Sequence, residues 1–310
     1  MSKTAIIFPG QGAQAVGMGQ DLAENIPACR DLFTHANEVL GFDLASICFN
    51  GPEEDLTKSN HAQPAIFVVS AAAYVALQQA QPDLEPAALA GLSSGEWAAL
   101  WAAGTVSFED TLRVLEARGR FMQAACEVNA GGMLSVIGLS LDTLQEIAAA
   151  CDIQIANLNS PEQTVLSGQV AGIEKAETMA KEAGAKRAIR LNVSGAFHSR
   201  LMAPAAAELA DFLQEVTLTA PKAPVVSNVK GAPFSSTEEI RELMVRQVTE
   251  SVRWVEDIQW ITAQGTTGFI ECGPGKVLSG LVKRIDKQAS IHNIQDQASL
   301  AKVLEAVNNS

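Results

Sequence analysis

The chain has 310 residues, of which 47% are hydrophobic and 18% are charged, a balance typical of a globular protein and not of a disordered one. Its net charge of −13 argues against a nucleic-acid surface, because phosphate binding requires clustered lysine and arginine side chains. The longest apolar stretch, residues 65–77, is shorter than the ~18 residues that a bilayer span requires, so we expect no membrane role.

Five cysteines are scattered along the chain without CxxC spacing or a neighbouring histidine pair: Cys29, Cys48, Cys126, Cys151 and Cys272. An odd number at such spacing argues against both a disulfide framework and a zinc site, so we expect reduced thiols and no bound metal. The N-terminal apolar run is too short for a secretory signal. These features together predict a cytoplasmic protein.

Short apolar runs alternate with helical patterns in the first third of the chain. Residues 4–8 and 87–92 each predict a buried strand. Residues 65–80 form an Ala-rich helical pattern, and a second helical pattern follows the second strand without a loop and stops at Gly104. This alternation predicts a parallel α/β sheet.

The middle of the chain predicts a different unit. Its elements are expected in the order strand, helix, strand, strand, helix, strand, over residues 131–139, 142–150, 153–158, 164–168, 172–183 and 187–193. This β-α-β-β-α-β order is the signature of a ferredoxin-like fold. We therefore predict a small ferredoxin-like subdomain over residues 125–195, inserted into a large α/β subdomain formed by residues 1–124 and 196–310.

The α/β rhythm resumes after the insert. The patterns predict helices over residues 201–212, 237–248 and 255–263 and strands over residues 223–227 and 267–272. Because the chain contains no repeat, low-complexity tract or long Pro/Ser-rich linker, we expect the two subdomains to pack against each other.

Residues 90–96 read Ala-Gly-Leu-Ser-Ser-Gly-Glu at the junction of a predicted strand and helix. A nucleophile elbow requires small residues two positions before and after its serine, because strand and helix come close at the turn. Gly91 and Gly95 satisfy this rule around Ser93, whereas the same positions around Ser94 carry larger side chains. Ser93 is therefore the candidate nucleophile of an α/β-hydrolase-like subdomain, although a serine at the start of a helix can also be only a cap.

A serine nucleophile needs a base, and the chain has four histidines: His35, His61, His198 and His292. We prefer His198, because it lies among small residues where the insert returns to the large subdomain, which suits a cleft. The alternative is that it is a satisfied core residue. No Asp or Glu occupies an obvious loop after a strand, and a backbone carbonyl is an acceptable substitute, because the third group mainly holds the tautomer and angle of the ring.

Six short motifs, in order along nearly the whole chain, resemble those of the malonyl-CoA:acyl-carrier-protein transacylases of type II fatty acid synthesis. They are FPGQGAQ at residues 8–14, QPA at 63–65, GLSSGE at 91–96, RGRFMQ at 118–123, GAFHS at 195–199 and ECGPG at 271–275. The resemblance implies a ping-pong transfer, in which Ser93 takes the malonyl group from malonyl-CoA and the phosphopantetheine thiol of acyl carrier protein collects it. It implies no cofactor, because the CoA thioester is a substrate.

The resemblance also implies roles for residues around this serine. His198 is the implied base and then acid, and the backbone N–H groups of Gln11 and Ser94 form the implied oxyanion hole. Arg118 is the implied partner of the malonyl carboxylate. A bidentate guanidinium suits a carboxylate in a partly dry cleft and contributes about 1.5–3 kcal/mol through charged hydrogen bonds. The alternative for Arg118 is a solvated position on a helix.

Three further positions follow from the resemblance alone. Gln63 belongs to the implied substrate site, and Gln247 is implied to orient His198 through its backbone carbonyl. Phe197 matches the malonyl-type signature, in which a bulky ring leaves little room for a methyl branch. Its alternative role is core packing.

The chain departs from the family pattern at three positions. Leu92 stands where most members have His, Ser94 where Leu is common, and Ser251 where a proline usually precedes the Arg-Trp pair. We expect the reaction class to be unchanged, because neither the base nor the oxyanion donors are side chains at position 92.

Acyl carrier proteins are acidic, so an acidic transacylase needs a basic rim near its cleft. The candidates are Lys186, Arg187, Arg190, Lys276, Lys283 and Arg284, or else these are scattered solvated charges. Three other functions stay open: a trans-acting acyltransferase of a polyketide synthase, a serine hydrolase or thioesterase, and a catalytically silent module that binds a carrier protein.

Overall fold

The computed structural model describes residues 3–308 and contains two sheets surrounded by helices. The strands are β1 (Thr4–Phe8), β2 (Ala88–Gly91), β3 (Gly131–Ile137), β4 (Gln154–Ser160), β5 (Gln163–Gln169), β6 (Arg187–Arg190), β7 (Val225–Ser227), β8 (Ala232–Pro233), β9 (Gly268–Cys272) and β10 (Ser290–Ile294). The helices are α1 (Gln20–Asn25), α2 (Pro27–Leu40), α3 (Leu44–Asn50), α4 (Glu53–Thr57), α5 (Ser59–Ala80), α6 (Gly95–Ala102), α7 (Phe108–Val128), α8 (Leu141–Ala150), α9 (Val170–Glu182), α10 (Ala203–Phe212), α11 (Thr237–Arg246), α12 (Trp254–Ala263), α13 (Val277–Ile285) and α14 (Gln297–Asn308).

The large sheet has six strands in the order β10-β9-β1-β2-β7-β8. The pairs among its first five strands are all parallel, and only β8 runs antiparallel to its neighbour. The predicted parallel α/β sheet is thus confirmed. Phe8 is level with Gly91 in the register of β1 and β2, so the loops that follow these two strands leave the sheet side by side.

Helix α5 runs through the main core and begins earlier than predicted. The sequence pattern predicted a helix over residues 65–80. The helix instead begins at Ser59 and includes Pro64, and 15 of its 22 residues are buried. Its packing against α7 is close: a Cβ added to Gly119 would lie 2.3 Å from the backbone oxygen of Ser59. Burial on all sides stabilises α5 despite the proline.

The small sheet has four antiparallel strands in the order β4-β5-β3-β6. The predicted order of strand, helix, strand, strand, helix, strand is confirmed, with α8 and α9 as the helices. These elements enclose an apolar cluster of their own, which includes Leu134, Leu144, Leu166 and Ile173. The small sheet therefore has a core separate from that of the large sheet.

Several elements escaped prediction. Helices α1 to α4 are five to fourteen residues long and follow one another before α5, and β10 and α14 complete the C-terminal end. Among residues 3–308, no group of three or more His, Cys, Asp or Glu side chains is arranged to hold a metal ion. None of the helices in that part of the chain combines the length and apolar character of a bilayer span.

Candidate active site

The turn between β2 and α6 carries Ser93 in a left-handed backbone conformation, with φ of 54°. A Cβ added to Gly91 would lie 2.0 Å from the backbone carbon of Gly95, and one added to Gly95 would lie 2.3 Å from the backbone oxygen of Phe8. Only glycine fits at either position. The turn therefore has the geometry expected of an elbow centred on Ser93, with a strained residue at its tip.

The hydroxyl of Ser93 meets the ring of His198, 105 residues later in the chain. Ser93 Oγ lies 2.8 Å from His198 Nε2, and His198 Nδ1 lies 2.7 Å from the backbone oxygen of Gln247. Because a carbonyl can only accept, Nδ1 carries the proton and Nε2 is free to accept the hydroxyl proton of Ser93. This is the arrangement of a nucleophile with its base.

Burial, and secondarily the nearby Arg118 cation, lowers the pKa of His198 to about 4. Only 4% of His198 is exposed, and two neighbouring backbone acceptors oppose the shift. The imidazole is therefore neutral at pH 7, which is the form that can take a proton.

Arg118, on α7, is buried beside the serine, with 1% of its surface exposed. Its Nη1 donates to Gln63 Oε1 at 2.8 Å, and its Nη2 donates to Gln247 Oε1 at 3.0 Å and to Ser93 Oγ at 3.2 Å. Burial lowers its pKa to about 10, so the guanidinium is still charged at neutral pH. The solvated alternative for Arg118 is wrong, and Nε has no hydrogen-bond partner among the described residues.

The loop after β1 brings Gln11 to the same place. Gln11 N–H donates to Ser94 Oγ at 3.2 Å, so the two positions expected to form the oxyanion hole are in contact. The side chain of Gln11 accepts from Gln63 Nε2 at 3.2 Å and donates to Ser59 Oγ at 3.0 Å. A chain of amides therefore links the loop to Arg118.

Three further positions named in the sequence analysis have different surroundings. Phe197 is buried in the main core, with 7% exposed, and its expected effect on a branched acyl group stays a prediction. Ser251, where the family usually has a proline, donates its hydroxyl to the backbone oxygen of Ile155 at 2.5 Å and so ties the segment before α12 to β4. Leu92 is half-buried against the cluster behind the sheet.

Asn228 is a site residue that the sequence analysis missed. Its Oδ1 accepts the backbone N–H of Ser93 at 2.7 Å, and its Nδ2 donates to the backbone oxygen of Gly91 at 2.8 Å. Nδ2 also donates to the buried carboxylate of Asp257 at 2.9 Å. One amide thus holds the turn on both sides of the nucleophile. The available signal was its position just after β7, the strand beside β2.

Two of the six residues of the predicted basic rim form ion pairs. Lys186 pairs with Glu162, and Arg190 pairs with Glu174 and Glu177. Arg187, Lys276, Lys283 and Arg284 are exposed and form no ion pair with the residues that the structure describes. Arg284 Nη1 donates to Gln163 Oε1 at 3.3 Å, which brings α13 against the small sheet.

The model of the acyl transferase domain family matches residues 5–306. The chain belongs to this family. It is 40% identical to the malonyl CoA-acyl carrier protein transacylase of Bacillus subtilis (strain 168), over 99% of this chain and 98% of that protein. These matches cover both sheets and every candidate site residue named above.

Solved structures of other family members are also similar. The acyl carrier protein S-malonyltransferase of Vibrio cholerae is 42% identical, with a TM-score of 0.94 over 97% of this chain and 100% of that one. Another structure contains a malonyl-transacylase in complex with its type II polyketide-synthase acyl-carrier protein. Its matched chain is 40% identical, with a TM-score of 0.94 over 98% of this chain and 100% of that chain.

Proposed function

We propose that the protein transfers a malonyl group from malonyl-CoA to the phosphopantetheine thiol of acyl carrier protein, for fatty acid synthesis. The observation that carries this proposal is the meeting of three groups at one oxygen: Ser93 Oγ lies 2.8 Å from His198 Nε2 and 3.2 Å from Arg118 Nη2. A nucleophile, a neutral base and a buried cation are what the transfer of an anionic acyl group requires.

The first half-reaction acylates Ser93. His198 Nε2 takes the hydroxyl proton as Ser93 Oγ attacks the thioester carbon, and the negative charge develops on the carbonyl oxygen. The backbone N–H groups of Gln11 and Ser94 donate to that oxygen. The C–S bond then breaks, His198 returns its proton to the leaving sulfur, and CoA departs as the thiol.

The second half-reaction reverses these steps with a new thiol. His198 takes the proton of the phosphopantetheine thiol, whose sulfur attacks the malonyl ester carbon. The ester bond to Ser93 breaks, and the serine oxygen regains a proton from His198. Every bond is made and broken by the substrates and these two side chains, so the proposed reaction needs no cofactor; CoA enters only as the substrate's carrier.

Arg118 is the proposed binding group for the malonyl carboxylate. Its described hydrogen-bond partners are the amide oxygens of Gln63 and Gln247 and the hydroxyl of Ser93, all of them neutral. A buried guanidinium held by neutral acceptors keeps its charge available for an anion. Acetyl groups carry no such anion, so this contact favours malonyl over acetyl.

We also propose the division into a large α/β-hydrolase-like subdomain, residues 1–124 and 196–310, and a small ferredoxin-like subdomain, residues 125–195. The separate apolar cluster of the small sheet and its strand order support this division. The elbow at Ser93 supports the hydrolase-like comparison. Five buried free thiols are consistent with the proposed cytoplasmic location.

Acyl carrier protein is the proposed macromolecular partner, and the unpaired rim residues are its proposed contacts. Arg187 lies opposite Ile137 on β3, which lies opposite Gln163 on β5, so the Cα atoms of Arg187 and Gln163 are about 10 Å apart across two strand spacings. Arg284 Nη1 donates to the side chain of Gln163, so both exposed cations lie on the same part of the small sheet, which suits an acidic partner.

Service to a polyketide synthase is the second candidate function. The complex of a similar malonyl-transacylase with a type II polyketide-synthase carrier protein favours it, because that partner accepts the same acyl group. The two functions share the chemistry at Ser93 and differ only in the carrier protein that collects the product.

Intact-mass spectrometry after mixing with malonyl-CoA tests the proposal. We expect a malonyl mass increment on the native protein, its loss in Ser93→Ala, and its release when holo acyl carrier protein is added. Ser94→Ala is the control and should still acylate, because its backbone N–H is retained. Rapid hydrolysis without transfer to the carrier thiol would instead indicate a thioesterase, and no increment at all would indicate a silent binding module.

A further inference from the structure

A buried carboxylate lies behind the catalytic pair, where no carboxylate was expected. Glu96 is in the first turn of α6, three residues after Ser93, and has no exposed surface. Its Oε1 accepts the backbone N–H of Asn228 at 3.3 Å, and its Oε2 accepts a hydrogen bond from Gln247 Nε2. These donors and the Ser227 hydroxyl oppose the effect of burial, but burial is the larger effect and raises the pKa of Glu96 to about 8.

The amide of Gln247 has only one orientation that satisfies its surroundings. Its Nε2 donates to Glu96 and to the backbone oxygen of Ser93 at 3.0 Å, whereas its Oε1 accepts from Arg118 at 3.0 Å. If the amide were reversed, its oxygen would face two acceptors and its N–H group would face a cation. The backbone oxygen of the same residue accepts from His198 Nδ1.

We propose that Glu96 is a positioning residue that acts on the reaction through Gln247. This inference rests on the proposed function, since it concerns the base of that transfer. The carboxylate holds the Gln247 side chain against the backbone of Ser93, and the Gln247 carbonyl then holds the Nδ1–H tautomer of His198. Through Gln247, Glu96 thus orients the histidine as the third residue of a Ser-His-Asp triad does by direct contact with the ring.

The competing role is purely structural, because a buried carboxylate at the start of a helix also stabilises the fold. Glu271 provides a matched control for that role. It also has no exposed surface, and its oxygens accept the backbone N–H groups of Leu278 at 3.1 Å and Ser279 at 2.7 Å at the start of α13. It has no hydrogen bond to any described residue of the catalytic pair.

Proton NMR on protein with ¹⁵N-labelled histidine tests the inference without substrate. Glu96→Gln keeps the shape of the side chain but turns an N–H group towards one of two donors, which disturbs the Gln247 amide. We expect the Nδ1 proton resonance of His198, assigned with His198→Ala, to shift or broaden in Glu96→Gln and to stay in place in Glu271→Gln. An unchanged resonance in Glu96→Gln would overturn the inference while leaving the proposed function intact.

Rapid-quench acylation gives a second, independent readout. At saturating malonyl-CoA, Glu96→Gln should slow acylation about tenfold to a hundredfold, as expected when a buried donor loses its acceptor. In a Gln247→Met background the same change should slow acylation by less than about threefold more, because the side chain that connects Glu96 to the catalytic pair is already absent. Effects that multiply in the double variant would show that Glu96 acts by another route.

A shorter carboxylate keeps the test valid if Glu96→Gln does not fold. Glu96→Asp retains the acid but withdraws it by one methylene from Gln247. The same shift of the His198 resonance is expected, and a native resonance in a folded Glu96→Asp protein would contradict the proposed role.

Discussion

The turn at Ser93 and the edge of the small sheet differ in how much change their surroundings allow. A Cβ on Gly91 would lie 2.0 Å from neighbouring backbone, whereas a Cβ on Gly132, in β3 of the small sheet, has no atom within 4 Å. Ser93, the proposed nucleophile, is enclosed by backbone and buried amides, whereas Arg187 on β6, a proposed partner contact, is exposed. The proposed chemistry therefore depends on fixed backbone geometry, while the proposed partner recognition depends on surface charges that can vary.

The largest expected effect comes from one added methyl group at the turn. Gly91→Ala forces strand and helix apart, so we expect a loss of about 1–3 kcal/mol or more in the free energy of unfolding and loss of Ser93 acylation. Gly132→Ala should leave stability unchanged or raise it by up to about 1 kcal/mol. Urea unfolding and intact mass measure both. Equal effects of the two changes would contradict the comparison.

Replacement of the buried Arg118 should have the second largest effect. Arg118→Met deletes the proposed carboxylate partner and should reduce the preference for malonyl-CoA over acetyl-CoA by about tenfold to a hundredfold. Arg113→Met, on the same helix but exposed and paired with Asp110, is the control and should keep the native preference. Competition between the two thioesters, read by mass, gives the ratio. A preference that survives in Arg118→Met would assign carboxylate recognition elsewhere.

The pH dependence of acylation separates the buried base from an ordinary histidine. Burial and then Arg118 lower the pKa of His198 to about 4, and only the neutral ring accepts a proton. The acylation rate should therefore stay flat from about pH 7 to about pH 5 instead of falling near the usual histidine pKa of about 6.5. In Arg118→Met the loss of the cation should raise the pKa of His198, so the acylation rate should begin to fall at a higher pH. Acetyl-CoA, which has no carboxylate, is the substrate for both profiles.

The smallest effect is expected at the exposed edge. Reversing the charges in Arg187→Glu with Arg284→Glu should raise the KM for acyl carrier protein about tenfold at low salt and less at high salt. Acylation by malonyl-CoA should not change. Lys175→Glu, on α9, has the same charge reversal outside the proposed rim and should behave as the native protein. A salt-independent KM would count against the rim.

Local pattern was enough to predict the turn at Ser93, because the constraint on it is local. Two glycines spaced around Ser93 indicate that the backbone turns sharply there, and the structure has that turn. Helical spacing could also have excluded the solvated alternative for Arg118. It lies three residues after Leu115 and four before Met122, both buried, so it belongs to the apolar face of α7.

The contacts that hold the site come from distant parts of the chain. Asn228 reaches the backbone of Ser93 from 135 residues away, and Gln247 reaches it from 154 residues away. No spacing rule connects such positions, because strand order decides which loops meet at the carboxyl end of the sheet. The same reason explains why the sequence analysis assigned no role to Glu96.

The sequence by itself determined the alternation of strands and helices, the small inserted unit and the glycine-flanked serine, since each of these follows from the covalent neighbours of a residue. Only the tertiary structure decided which groups surround that serine. It brought a histidine and an arginine to the hydroxyl of Ser93, brought the amides of Asn228 and Gln247 to its backbone, and removed all four from water. Burial then lowered the pKa of the histidine and of the arginine, and neither effect exists before the chain is folded.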